Sequence, residues 1–129
     1  MAIQYTMKLE GEVLLVTASG RDDNEEEVRD YGLAIIQEAI RLGCPRVLCD
    51  ERDLHYNLDT LSNYEAAKFI AEVAPKVSRV AIVCRPQDTQ SGEFWETVAV
   101  NRGLTVRMLT DIVEAWRWIG EPVIAPENP

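Results

Sequence analysis

The chain is poor in the residues that build metal and nucleophile sites. It holds one histidine and three cysteines, and the cysteines, at 44, 49 and 84, form no Cys-x-x-Cys pair. A four-ligand zinc site therefore has no framework, and the odd cysteine count fits reduced thiols in a cytoplasm. No apolar run approaches the roughly 20 residues of a membrane-spanning helix. Met1-Ala2-Ile3-Gln4-Tyr5 lacks a basic stretch followed by an apolar one, so no secretory signal is expected. Basic residues are also in deficit: 13 against 22 acidic, for a net charge of −9. That field repels phosphate backbones and anionic lipid surfaces, which excludes nucleic acid as a partner. There is no glycine-rich phosphate cradle, no catalytic motif and no internal repeat.

What is present is a globular composition, 47% apolar and 27% charged over 129 residues, which fits one domain with a full core. Tyr5, Met7 and Leu9 alternate with polar residues, Glu10-Gly11-Glu12 signals a turn, and Val13 to Ala18 is a continuous apolar strand. The two predict a hairpin. Asp23 and Glu26 have capping-box spacing, and Val28, Tyr31, Ile35, Ala39 and Leu42 share a helical face, with Ile36 and Ile40 on its shoulder. Gly43 and Pro45 end that helix. Val47 to Cys49 is a short buried strand, and Asp50 to Asp59 is expected as a polar loop of about ten residues. Ser62 and Glu65 form a second capping box, with Leu61 packing on Ala66, before a helix ending near Pro75.

Arg79 to Cys84 is the next buried strand. After the polar stretch Arg85 to Gly92, a helix turns Phe94, Trp95, Val98 and Asn101 partly inward and ends at Gly103. Leu104, Val106 and Met108 mark an edge strand, and Asp111 with Glu114 opens a last helix whose inner face is Ile112, Ala115, Trp116 and Ile119. Both faces of the inner strands are apolar, so both faces of the sheet want cover. Right-handed crossovers that always step the same way place their helices on one face. Either the strand order reverses, or another chain or an apolar ligand closes the second face.

The element order, together with Phe94-Trp95-Glu96-Thr97-Val98-Ala99-Val100-Asn101-Arg102-Gly103, Val106 to Leu109 and Glu114-Ala115-Trp116-Arg117-Trp118-Ile119, resembles the STAS domain, the SpoIIAA-like (anti-sigma factor antagonist) family, from about Tyr5 to Ile119. The resemblance implies a stand-alone bacterial regulatory module that switches protein partners. It also implies an aspartate at a strand end, matched by Asp50, and a phospho-acceptor near the start of the next helix, at Thr60 or Ser62. The chain departs from the family where Glu51 to Asp59 replaces a short Asp-Ser-Ser/Thr-Gly-like turn. Some relatives of this β-α fold bind lipids or other hydrophobic molecules, which implies a carrier as the alternative.

The candidate residues each have a plainer reading. Ser62 is a phospho-acceptor or a helix cap. Asp50, Arg52, Asp53 and His55 line a ligand or partner loop; Asp50, Asp53, His55 and Asp59 are candidate metal ligands, yet their spacing matches no EF-hand or zinc motif and a solvated acidic loop is the plainer reading, and an enzyme using this loop is the outlying alternative. Cys84 beside Arg85 is an activated thiol or a core cysteine, and Cys49 is a core cysteine. The acidic run Asp22 to Glu27 docks a basic partner or complements a helix dipole. Trp118 anchors a partner or packs beneath the C-terminal tail. Arg21, Arg52, His55 and Arg85 gather at the carboxyl ends of the strands, where such sheets bind ligands.

The sequence thus predicts an α/β single domain, residues 1–120, with a mixed sheet of about five strands, an N-terminal hairpin and four helices. A Pro-rich tail follows over 121–129. The expected function is a non-enzymatic cytoplasmic binding module without a cofactor or metal. Its partners are a protein, a second copy as a homodimer, or a hydrophobic small molecule.

Overall fold

The computed structural model describes residues 3–76 and 78–121. The element order is β1 (Ile3–Glu10), β2 (Val13–Asp22), α1 (Glu25–Leu42), β3 (Arg46–Tyr56), α2 (Thr60–Val73), β4 (Arg79–Val83), a single 3₁₀ turn (Pro86–Asp88), α3 (Thr89–Asn101), β5 (Thr105–Leu109) and α4 (Ile112–Gly120). The expected tail lies, beyond Glu121, outside the described residues.

One mixed five-stranded sheet runs in the order β1-β2-β3-β4-β5. β1 and β2 form the antiparallel hairpin around Gly11, whose φ of 62° needs no β-carbon. The later pairs are parallel. The strand order does not reverse, as the sequence reading had allowed. The second face is instead covered by α4, which follows the final strand and so is not bound by the crossover rule. α1 lies over β1 and β2, α3 lies over β5, and α2 bridges α1 and α3, all on the first face; α4 packs on β3, β4 and β5 across the sheet.

Two cores result. On the first face Leu14, Val16, Val47, Cys49 and Ile82 meet Tyr31, Ile35 and Ala39 of α1 and Ala71 and Ala74 at the end of α2. On the second, Leu48, Ala81, Val83 and Leu109 meet Ala115 and Ile119, with Ile112 and Trp116 alongside, which is the inner face read from the sequence. The β1–β2 corner of the second face needs no helix, because Gln4, Thr6, Lys8 and Thr17 are exposed there.

The main correction concerns Asp50 to Asp59. β3 continues to Tyr56, and β2 extends past Ala18 to pair with it. Thr17 pairs with Asp50 but Ser19 pairs with Asp53, so β3 carries an extra residue in a β-bulge. The bulge breaks the alternation that sequence patterning detects, so Glu51 and Leu54, three apart, both end up buried.

Helix starts also shift. Asn24, not Asp23, caps α1, accepting from the Glu27 N–H at 3.1 Å. Asp59, not Ser62, caps α2, and its carboxylate accepts from the Ser62 N–H at 2.8 Å. A carboxylate ahead of the helix outcompetes the hydroxyl inside its first turn. Leu61 is exposed and does not staple the helix, and Phe94, Asn101 and Ile40 face outward more than expected. Asp111 does cap α4, accepting from Val113 and Glu114. Gly43, at φ 63°, ends α1 in the left-handed conformation.

Candidate functional site

The expected site residues divide into separate places. Asp50 and Arg52 pair with each other: Nε and Nη2 of Arg52 donate to Asp50 at 2.8 and 2.7 Å, and the pair holds the Asp50 carboxyl below its ordinary range. Asp53 and His55 are exposed beside Gly20, Arg21 and Asn57 in a shallow depression. Arg85 joins His55, its Nη1 lying 3.2 Å from the ring Nδ1, and is held by Asp88 at 2.8 Å. So Asp53, His55 and Arg85 do share the carboxyl-end surface. Trp118 does not. It is half-buried at the other end of β4, where the Arg79 guanidinium stacks 4.4 Å above its ring.

Thr60 is the exposed first residue of α2, and Ser62 is half-buried two residues further in. Among the described residues no group of three or more His, Cys, Asp or Glu is placed to hold a metal. The cysteines are free and buried. Cys84 is 1% exposed, and burial pushes its thiol up to about 11, against the activated reading.

The structure adds a second site. Between the first face of the sheet and α1–α3 lies a cavity of about 110 Å³. α2 rides on its two helical neighbours, and Asn63, Ile70 and Ala74 form its wall of the cavity. Gly32 of α1 lets Ile70 come close, since a β-carbon there would stand 2.2 Å from the Ile70 Cδ1.

One end of the cavity is polar and acidic. Glu51 is 7% exposed and accepts from Tyr31 Oη at 2.8 Å through Oε2 and from Tyr56 Oη at 2.5 Å through Oε1. Asp22 is 8% exposed and accepts from the Asn57 N–H through Oδ1. Burial raises the Glu51 carboxyl above its usual range while the two tyrosines pull it back. Burial first, and the neighbouring Glu51 charge with it, raise Asp22 from 3.8 to about 7, against the opposing Asn57 contact. The mouth of the cavity carries Asn63 and Ser91, joined by an Asn63 Nδ2–Ser91 O bond of 3.2 Å between the starts of α2 and α3.

Sequence reading missed this cluster because Asp22 sat in an acidic run, Glu51 in an expected loop, and Tyr31 on an apolar helix face. The signal available was Leu54 and Tyr56: apolar residues just past Glu51 argue that the strand continues.

A hairpin, then parallel β-α units stepping one way with a terminal helix on the opposite face, define a STAS-type α/β fold. No family model and no curated protein sequence matches the chain. Among solved structures it is similar to the crystal structure of an anti-sigma factor antagonist from Mycobacterium paratuberculosis, with a TM-score of 0.65 at 13% identity, covering 92% of this chain and 95% of that one. It is also similar to the NMR structure of the protein TM1081, with a TM-score of 0.57 at 14% identity, covering 90% of this chain and 88% of that one. The likeness spans the five strands and four helices and is one of fold.

Proposed function

We propose that the protein is a non-enzymatic cytoplasmic regulatory module of STAS type that binds a protein partner, as the name of the similar anti-sigma factor antagonist suggests. The observation that supports this best is the exposed charged surface on the extension of β3 and the start of α2. There β4 ends opposite Asp50, so the outer edge of residues 51–56 has no strand neighbour. A free strand edge flanked by Asp53, His55 and Arg85 offers backbone groups and charges to a partner. Thr60 and Ser62 are the candidate phospho-acceptors beside it. The Asp59 carboxylate already occupies the Ser62 N–H, so a phosphate on Ser62 finds that donor taken, and Thr60, exposed and two residues earlier, is the better acceptor.

The test is affinity purification of the tagged protein from its native cells, with intact-mass analysis of the product. A partner at fixed stoichiometry that is lost from an Arg52→Ala/His55→Ala/Arg85→Ala variant supports the reading. A chain that elutes alone or only as a homodimer, without phosphate under every growth condition, sinks it.

A second reading, a sensor or carrier of a hydrophobic small molecule, is favoured by the cavity between the sheet and α2, which lies under the same α2 start and would couple occupancy to that surface.

A further inference from the structure

The acidic end of the cavity is unusual for an apolar interior. Asp22 and Glu51, both more than nine-tenths buried, face the same cavity as Ile35, Ala39, Val47 and Ile82, and no Lys, Arg or His among the described residues lines it. Buried carboxylates are normally paired, since each charge taken from water costs several kcal/mol. The partners they do have are uncharged: the Tyr31 and Tyr56 hydroxyls and the Asn57 and Leu58 N–H groups. An ionised carboxylate offers about four lone-pair sites, so two donors on each leave acceptor capacity on both groups.

Apart from Cys49, Asn63, Ser78 and Ser91, the remaining lining is apolar. Tyr31 stands at the acidic end, and Ala39, eight residues along α1, lies about 12 Å further on. A molecule complementary to this cavity has a positive hydrogen-bond donor at one end and an apolar body behind it. We infer that the cavity binds a small primary amine with an apolar tail, the ammonium between Asp22 and Glu51 and the tail along Ile35, Ala39, Val47 and Ile82. This deepens the second reading above, because it rests on a small-molecule ligand. A cavity of about 110 Å³ suits a short tail. An ammonium also relieves the mutual repulsion of the two carboxylates, which an alcohol does only weakly and a carboxylate worsens.

The experiment titrates the purified protein with primary n-alkylamines from butyl to octyl, and with the alcohols and carboxylates of the same lengths. The readouts are melting temperature and tryptophan fluorescence. Trp95 lines the cavity while Trp116 and Trp118 pack on the other face of the sheet, so Trp95→Phe identifies the reporting residue. The expected result is a fluorescence change and a raised melting temperature with the amines, greatest at one chain length, and neither with the carboxylates. Asp22→Asn keeps an oxygen to accept from Asn57 and should still fold; it is expected to weaken amine binding about tenfold or more, the scale of one charge-assisted hydrogen bond. Ala39→Leu fills the apolar end and should move the optimum to a shorter amine without touching the carboxylates.

Alcohols binding as well as amines, or full affinity in Asp22→Asn, would overturn the amine assignment and leave an apolar-ligand site standing. Binding by none of the three series would overturn both. A fluorescence response that persists in Trp95→Phe would place the amine elsewhere and equally reject the site.

Discussion

Asp22 shows how much one side chain can shape the behaviour of a domain. Its carboxyl ionises near 3.8 when free and near 7 in the fold, chiefly through burial. Between those values the folded state holds the proton more tightly than the unfolded state, so stability falls as pH rises through that window and levels off above it. Glu51 is shifted in the same direction and adds to the fall. Asp22→Asn is therefore expected to flatten part of the slope and to exceed the parent in stability above pH 7, by on the order of a few kcal/mol. Urea denaturation of both proteins at acid and neutral pH checks this; equal slopes would mean that Asp22 stays ionised in the fold. Buried tyrosines stand by in the same cluster, with Tyr5 packed edge-on against Tyr31 at 5.2 Å between ring centres.

At the scale of elements, the two helices that flank the proposed sites are held by their ends. Asp59 caps α2, and Asp59→Ala should lower stability by about 1 kcal/mol. The same change frees the Ser62 N–H, so it should not be offset by the Ser62 hydroxyl, which sits within the helix. A Ser62→Ala variant as stable as the parent, measured by thermal melting, would confirm that the cap is the aspartate. α4 is held from the opposite end. Arg79 Nη2 donates to the Trp118 carbonyl at 2.8 Å while its guanidinium covers the Trp118 ring, and Arg46 Nη1 donates to the Ile119 carbonyl at 2.9 Å. Cations at a helix C-terminus satisfy carbonyls that have no partner within the helix. Arg79→Ala should destabilise the protein by about 1–3 kcal/mol and red-shift its tryptophan emission as Trp118 is wetted.

The elements themselves were legible in the sequence where the pattern was regular. The α4 inner face follows a clean helical stripe, and the hairpin is announced by Glu10-Gly11-Glu12. The extension of β3 was hidden for a definite reason. A bulge inserts one residue, so charged Arg52 and Asp53 stand side by side where alternation would put an apolar residue. The acidic cavity was hidden because it joins Asp22, Tyr31, Glu51 and Tyr56 from three elements, and only the pairing register brings them together. The helix caps were misplaced by one to three residues, since Asp23, Asn24, Asp59 and Ser62 are all chemically competent caps and the backbone alone chooses among them.

For the whole molecule, the net charge of −9 acts on stability as well as on partner choice. Self-repulsion among surface carboxylates opposes compaction, so the denaturation midpoint should rise from low salt to about 0.5 M NaCl, where the Debye length shrinks to about 4 Å. A midpoint that falls with salt would show that ion pairs such as Arg29–Glu25 and Arg85–Asp88 outweigh the net field.

The strand order carries a consequence for biosynthesis. Each strand pairs with the one translated just before it, so the sheet can be laid down in step with the ribosome, with no strand waiting for a distant mate. The second face has no such luxury. Leu48, Ala81, Val83 and Leu109 stay uncovered until α4, the last of the described elements, has emerged. A nascent chain stalled after β5 would thus display a finished sheet with one greasy side. For that interval the exposed face is open to aggregation, and the nine residues of α4 are what close it.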